Sequence, residues 1–381
     1  MTTTKRRRVL AGATAALVCA GVCAGQAATA VAAPGERVST ADRATLQRSL
    51  DELTTTGAQG VQVRITEGRR QTVLRSGTAD HGGERPVPRE GAFRVGSITK
   101  TFVATVVLQL VAEGRVELDA PVARYLPGLL PDGDRITVRM LLQHTSGLAN
   151  YTGLLPTGPE EFSTPEAFEE ERYRHHEARD LVALAAAQPL DFEPGTSWSY
   201  SNTGYLVAGL LVEEVTGQSW REAVEERVVE PLHLRGTSAP GDRVTLPPPH
   251  AHGYARIGGE VVNVTRMNAT IAGAAGEVVS TTADLDRFLD ALLDGRLLPA
   301  AQLAEMKRTT PVSPQYGLGL VAAPLECGVT AWGHDGGIAG YTSIALSTED
   351  TRERVVLSLS TAPDPGEFRG GNELISEVFC G

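Results

Sequence analysis

Apolar positions along this chain follow two periods, and the places where the period changes outline a fold. Leu46, Leu50 and Leu53 share one face of a helix predicted over 40–56, with Thr40 as its N-cap. Alternating segments at 60–65 and 71–77, joined at Glu67-Gly68, read as a pair of strands. Phe102, Val106, Val107, Leu110 and Val111 return to helical spacing, predicting an amphipathic helix that starts at about Ser97. From about 115 to 275 the pattern is loop-rich, with helical stretches near 137–143, 165–186, 203–216 and 219–230. Proline and glycine clusters separate them, among them Pro247-Pro248-Pro249. Helices return at 283–294 and 299–307, strands follow at 317–321, 331–334, 341–346 and 354–360, and a helix over 372–379 ends the series. Strands near both ends with helices between them predict an α+β fold. One antiparallel sheet built from both chain ends is flanked by helices, and an all-helical lobe is inserted between.

The first residues change the domain reading. Lys5 to Arg8 is basic, 9–25 is rich in Ala, Gly and Val, and Ala30-Val31-Ala32 offers small residues for cleavage. Residues 1–32 therefore read as an export signal and the mature protein as secreted. Arg6-Arg7-Arg8-Val9-Leu10 weakly matches a twin-arginine signal, and an ordinary secretory n-region is the alternative. No later run reaches the roughly eighteen apolar residues of a membrane span, so no anchor is expected in the mature form. Residues 33–381 then form one catalytic module of two lobes: an α/β lobe over about 33–110 and 276–381, and a mainly helical lobe over about 111–275. The mature chain is expected to be monomeric.

Removing four basic residues and no acid takes the formal net charge from −11 to −15, which argues against nucleic acid or an anionic membrane surface as partner. Cys19 and Cys23 leave with the signal. Cys327 and Cys380 remain in an oxidising compartment, where one disulfide is the default and two buried thiols the alternative.

Among 35 basic residues only Lys5, Lys100 and Lys307 are lysines. Arginine keeps its charge, whereas a desolvated lysine can become neutral and accept a proton. Lys100 follows Ser97 by three positions, so on a helix the two share a face and could form an activated hydroxyl. Two further segments carry polar chemistry. In Tyr200-Ser201-Asn202 the phenol could serve as acid or base and the amide could orient a carbonyl. Alternatively, Ser201 or Asn202 simply caps a helix. In His334-Asp335-Gly336-Gly337 the glycines could admit a ligand backbone to a strand edge, or could mark an ordinary strand end. His175-His176 reads as a solvated face. His250-Ala251-His252 has metal-like alternation but no nearby cysteine or carboxylate partner is expected, so no metal site is assigned. His144-Thr145-Ser146-Gly147 reads as a helix end set against the floor of the site.

In this order the three segments resemble the penicillin-recognising serine hydrolases, and most closely their secreted D-alanyl-D-alanine carboxypeptidase and class C β-lactamase branch. Phe93-Arg94-Val95-Gly96, Leu141 to Leu148 and Tyr316 to Leu320 extend the resemblance over most of the mature chain. It implies the β-lactamase/DD-peptidase-like fold and a Ser97 acyl-enzyme, with Lys100 and Tyr200 sharing the proton work. Asn202 and His334 would contact substrate, and the N–H groups of Ser97 and Gly337 would form the oxyanion hole. The Cys327–Cys380 pair also resembles that of the secreted carboxypeptidases. No cofactor is implied. The expected ligands are D-amino-acid or peptidoglycan-precursor-like peptides, with β-lactams as acylating compounds.

One departure matters. The carboxypeptidase pattern has threonines that grip a terminal carboxylate where this chain has Asp335 and Gly337, and Val321-Ala322-Ala323 holds no arginine clamp. A D-alanyl-D-alanine carboxypeptidase is the leading expectation. A D-stereospecific amidase, endopeptidase or esterase that does not recognise a free carboxylate is the first alternative. A β-lactamase and a non-catalytic penicillin-binding sensor are further ones.

Overall fold

The computed structural model describes residues 42–364 and 371–381; the signal segment and Thr40 lie outside them. Helix α1 (Arg43–Thr56) is capped by Asp42, whose carboxylate accepts from the Ala44 N–H, so the cap is not Thr40. Its leucines 46, 50 and 53 are buried, as their spacing predicts. Strands β1 (Ala58–Glu67) and β2 (Arg70–Gly77) form a hairpin, and the short β3 (Phe93–Arg94) follows. A 3-10 turn over Gly96–Ile98 then leads into α2 (Thr99–Ala112). That helix is not amphipathic: Thr99 to Leu108 are all buried, because it runs through the centre of the molecule.

The middle of the chain contributes α3 (Val138–Leu142), α4 (Pro165–Glu171), α5 (Ala178–Ala186), α6 (Asn202–Thr216) and α7 (Trp220–Val224). The single helix predicted over 165–186 is broken after Glu171, where the Arg172 guanidinium turns to the carbonyls of Asn263 and Arg266. Asn263 ends, and Arg266 follows, a feature missing from the sequence reading, the hairpin β4 (Tyr254–Ile257) and β5 (Glu260–Asn263). The inserted segment is therefore mainly, not wholly, helical. β6 (Val279–Ser280) pairs with β3, and α8 (Thr282–Leu293) and α9 (Ala300–Lys307) follow.

The strand predicted at 317–321 begins only where that prediction ends, as β7 (Val321–Pro324). Residues 317–320 instead turn inward, burying Leu318 and Leu320, with the Leu318 N–H bonded to the Met306 carbonyl. β8 (Thr330–Ile338), β9 (Tyr341–Ser347), β10 (Glu353–Thr361) and α10 (Gly371–Cys380) complete the chain.

The principal sheet is antiparallel, in the order β2-β1-β10-β9-β8-β7, so strands from the two chain ends lie side by side. On one face α1 and α10 cover a core that includes Leu50, Val63, Leu357 and Phe379. On the other, a larger core joins α2, α6 and α8 around Phe102, Leu211 and Phe288. The Cys327–Cys380 disulfide, with Cα atoms 5.6 Å apart, ties α10 to the turn between β7 and β8. Register then positions the site. β7 pairs with β8 only as far as Val321 opposite Gly333, so from His334 onward β8 has a free edge beside the Ser97 turn.

Candidate active site

Ser97 sits in the 3-10 turn that β3 delivers against β8. Two glycines permit that approach. Gly96 has φ 53°, and a Cβ there would lie 2.7 Å from the Gly337 nitrogen. A Cβ on Gly336 would lie 2.0 Å from the Val95 carbonyl oxygen and 2.9 Å from the Ser97 nitrogen. Gly336 therefore admits the backbone of the Ser97 turn, and it also lines the cleft. Gly337 alone faces open space, with nothing within 4 Å of its would-be Cβ. The turn and strand thus bring the Ser97 and Gly337 backbones together, as an oxyanion pocket requires.

Lys100 follows on the first turn of α2 and is wholly buried. Its Nζ lies 2.9 Å from Ser97 Oγ, 2.8 Å from Asn202 Oδ1 and 2.7 Å from the Ala275 carbonyl oxygen. Burial pushes the ammonium well below the ordinary lysine value, and the Asp335 charge opposes that only in part. The three partners suit a neutral amine: its two hydrogens go to the two carbonyl-type oxygens, leaving the lone pair for the Ser97 hydroxyl. Burial likewise pushes the Tyr200 phenol well above its ordinary value, partly offset by a hydrogen bond with Ser97. The phenol therefore keeps its proton. The Tyr200 ring centre lies 4.8 Å from Lys100 Nζ.

Asn202 is the first residue of α6, and the capping alternative fails on geometry. Ser201 is the N-cap residue but its side chain makes no cap bond, and its hydroxyl donates to the Ala149 carbonyl. The free helix N–H of Asn202 is satisfied by Asn150 Oδ1. That leaves the Asn202 amide to hold Lys100 with its oxygen and face the cleft with its nitrogen.

Strand alternation decides the third segment. All four residues line the cleft, with His334 and Gly336 buried and Asp335 and Gly337 the more exposed pair. His334 lines the cleft but is held by the protein's own groups. Its Nδ1–H donates to the Asp335 carbonyl at 2.5 Å and its Nε2 accepts from the Tyr316 hydroxyl at 2.8 Å, so both nitrogens are occupied. Burial lowers its pKa to about 4, leaving it neutral at ordinary pH. The Asp335 carboxylate is half-exposed and, among the described residues, no arginine or lysine pairs with it.

The cleft has a volume of about 1590 Å³. Besides Ser97, Tyr200, Asn202, Asp335 and Gly337 it is lined by Trp198, Tyr316 and the apolar Val321, Ala322 and Ala323. Trp198 is 40 % exposed at its mouth. Sequence reading missed Asn150 and the Ala275 carbonyl, which carry no motif, and used Tyr316 only as part of a family match. Away from the cleft, His252 does have a carboxylate partner, Asp80 at 2.9 Å, contrary to the sequence reading. Even so, no group of three or more possible metal ligands occurs among the described residues.

Comparison with known proteins agrees with this geometry. The family model described as Beta-lactamase matches residues 44–378. A penicillin-binding protein 4 of Amycolatopsis lactamdurans is 32 % identical over 71 % of this chain and 72 % of its own length. The crystal structure of a D-stereospecific amidohydrolase from Streptomyces sp. superposes with a TM-score of 0.80 at 40 % identity, covering 89 % of this chain and 99 % of that one. A D-amino acid amidase from Ochrobactrum anthropi SV3, complexed with L-phenylalanine, superposes with a TM-score of 0.75 at 31 % identity, covering 88 % and 96 %. A chain matched by the family model over nearly its whole described length, with this fold and these relatives, belongs to the beta-lactamase and penicillin-binding protein family of serine hydrolases.

Proposed function

We propose that this hydrolase is a D-stereospecific amidase, cleaving amides or peptides of D-amino acids whose leaving group bears no carboxylate. The observation that carries this reading is Asp335: its carboxylate lines the cleft two residues before Gly337, with neutral His334 3.7 Å away, no arginine or lysine paired to it among the described residues, and the apolar β7 residues Val321 to Ala323 lining the same cleft. Like charges about 5 Å apart repel by about 3 kcal/mol at an effective dielectric of about 20, and solvent screening at a half-exposed group reduces this. Even a reduced penalty disfavours the free carboxylate that a D-alanyl-D-alanine carboxypeptidase must bind. The similarity to the Streptomyces D-stereospecific amidohydrolase and the Ochrobactrum D-amino acid amidase supports amide hydrolysis and the D configuration of the acyl residue.

The chemistry follows from the geometry. Lys100, neutral and 2.9 Å from Ser97 Oγ, accepts the hydroxyl proton as Ser97 attacks the amide carbonyl. The Ser97 and Gly337 N–H groups hold the oxyanion, and the Asn202 amide orients the acyl part. Tyr200, still protonated, supplies a proton to the departing amine, which would otherwise leave as a strongly basic anion. Water then resolves the acyl-enzyme by the reverse proton path.

The test compares kcat/KM for an acyl-D-alanyl-D-alanine peptide and its C-terminal amide. The amide is expected to be preferred by roughly tenfold, and Asp335→Thr to narrow that ratio. A clear preference of the wild type for the free acid would mean a carboxypeptidase instead.

A further inference from the structure

We propose that His144 is a positioning residue for Tyr200, holding the phenol against Ser97 from behind through one accepted hydrogen bond and one ring contact. His144 follows the C-cap residue of α3, Gln143, with φ 61°, a left-handed conformation that glycine or asparagine adopts far more readily than histidine. A side chain is therefore kept here against backbone preference. Its carbonyl accepts the Ser199 N–H at 3.0 Å and its Nδ1 accepts the Ser201 N–H at 3.2 Å, so one residue pins both neighbours of Tyr200. Its ring lies 4.2 Å from the Tyr200 ring and 4.7 Å from that of Tyr316, centre to centre.

The two ring nitrogens are not equivalent. With Nδ1 accepting, the neutral imidazole carries its proton on Nε2. That Nε2 is fully buried and has no hydrogen-bond partner, amid the rings of Tyr200, Tyr205 and Tyr316. An apolar side chain would remove this unsatisfied donor, so stability alone does not explain histidine here. What an apolar residue could not supply is the acceptor at Nδ1. Without it the Ser201 N–H is left unsatisfied and the segment carrying Tyr200 is free to shift. Displacement of a proton donor by a fraction of an ångström lowers turnover with little effect on ground-state binding.

Two variants separate this role from simple packing. His144→Asn tolerates the left-handed backbone and can place Oδ1 where Nδ1 was. His144→Leu fills the pocket but offers no acceptor. The readout is kcat and KM for p-nitrophenyl acetate, normalised to Ser97 sites titrated with a fluorescent penicillin. The phenolate leaves without a proton, so kcat reports hydrolysis of the acetylated Ser97, in which Tyr200 takes the proton of the attacking water; the result stands whether or not D-amides are the substrate. Positioning predicts that His144→Leu loses about 30- to 100-fold in kcat, with KM within about twofold, while His144→Asn keeps kcat within about fivefold of wild type. If the folded leucine variant turns over as wild type does, or the asparagine variant is the worse of the two, the proposal is overturned.

Discussion

The two ends of the cleft present opposite environments. Around Ser97, the buried Lys100 Nζ is matched by three partners, and charge is suppressed: burial keeps Lys100, Tyr200 and His334 neutral. At Asp335, a few residues along β8, a carboxylate stands half in solvent with no cation beside it. The first region can perform chemistry on any carbonyl that reaches it, because a neutral amine next to a hydroxyl does not discriminate among acyl groups. On the function proposed above, the second region decides which carbonyl arrives. That proposal gives reactivity and selectivity to residues with opposite requirements, dryness for one and an exposed charge for the other.

The largest effect should come from the dry end. Lys100→Arg keeps a positive charge but cannot present a lone pair, so we expect kcat to fall by about 10³- to 10⁴-fold while the protein remains folded. Steady-state kinetics together with circular dichroism checks this. A near-normal rate would mean that Lys100 acts as a fixed charge and not as a base.

The pH profile connects the two regions. Activity needs Lys100 unprotonated, so kcat/KM should be level above its lowered pKa and fall as pH drops through it. The Tyr200 phenol, pushed well above the ordinary tyrosine value, should give no alkaline decline below about pH 10. Because the Asp335 charge favours the ammonium, Asp335→Asn should move the acid limb to lower pH. A limb that stays in place, or moves upward, would show that the exposed carboxylate does not influence the buried lysine.

The smallest expected effect on activity lies farthest from the contrast. The Cys327–Cys380 bond closes a loop of 53 residues, worth about 4 kcal/mol in the chain-entropy model. Replacing both cysteines by serine should lower the thermal midpoint measured by calorimetry yet leave ester hydrolysis at 25 °C within about twofold. A comparable loss of activity at that temperature would mean that the sheet edge carrying Asp335 depends on the disulfide.

Legibility in the sequence followed the range of the interactions. The leucines of α1, the hairpin of β1 and β2, and the serine–lysine pair were readable because each depends on neighbours within a few positions. The breaks were long-range. The helix over 165–186 gave way where Arg172 found carbonyls more than ninety positions away. The strand at 317–321 yielded to an inward turn because burying Leu318 and Leu320 outweighed β propensity.

The same division holds in the site. From the sequence alone came Ser97 and Lys100 on one helical face, Asp335 where a threonine is usual, and a cysteine pair. Only the tertiary structure decided that Lys100 gives its hydrogens to Asn202 and Ala275, 102 and 175 positions away, and so turns its lone pair to the hydroxyl. Only it decided that His334 is buried and that His144 stands behind Tyr200. Charge state and side-chain direction follow from burial and from partners brought in by distant segments, and neither quantity exists until the chain has closed around them.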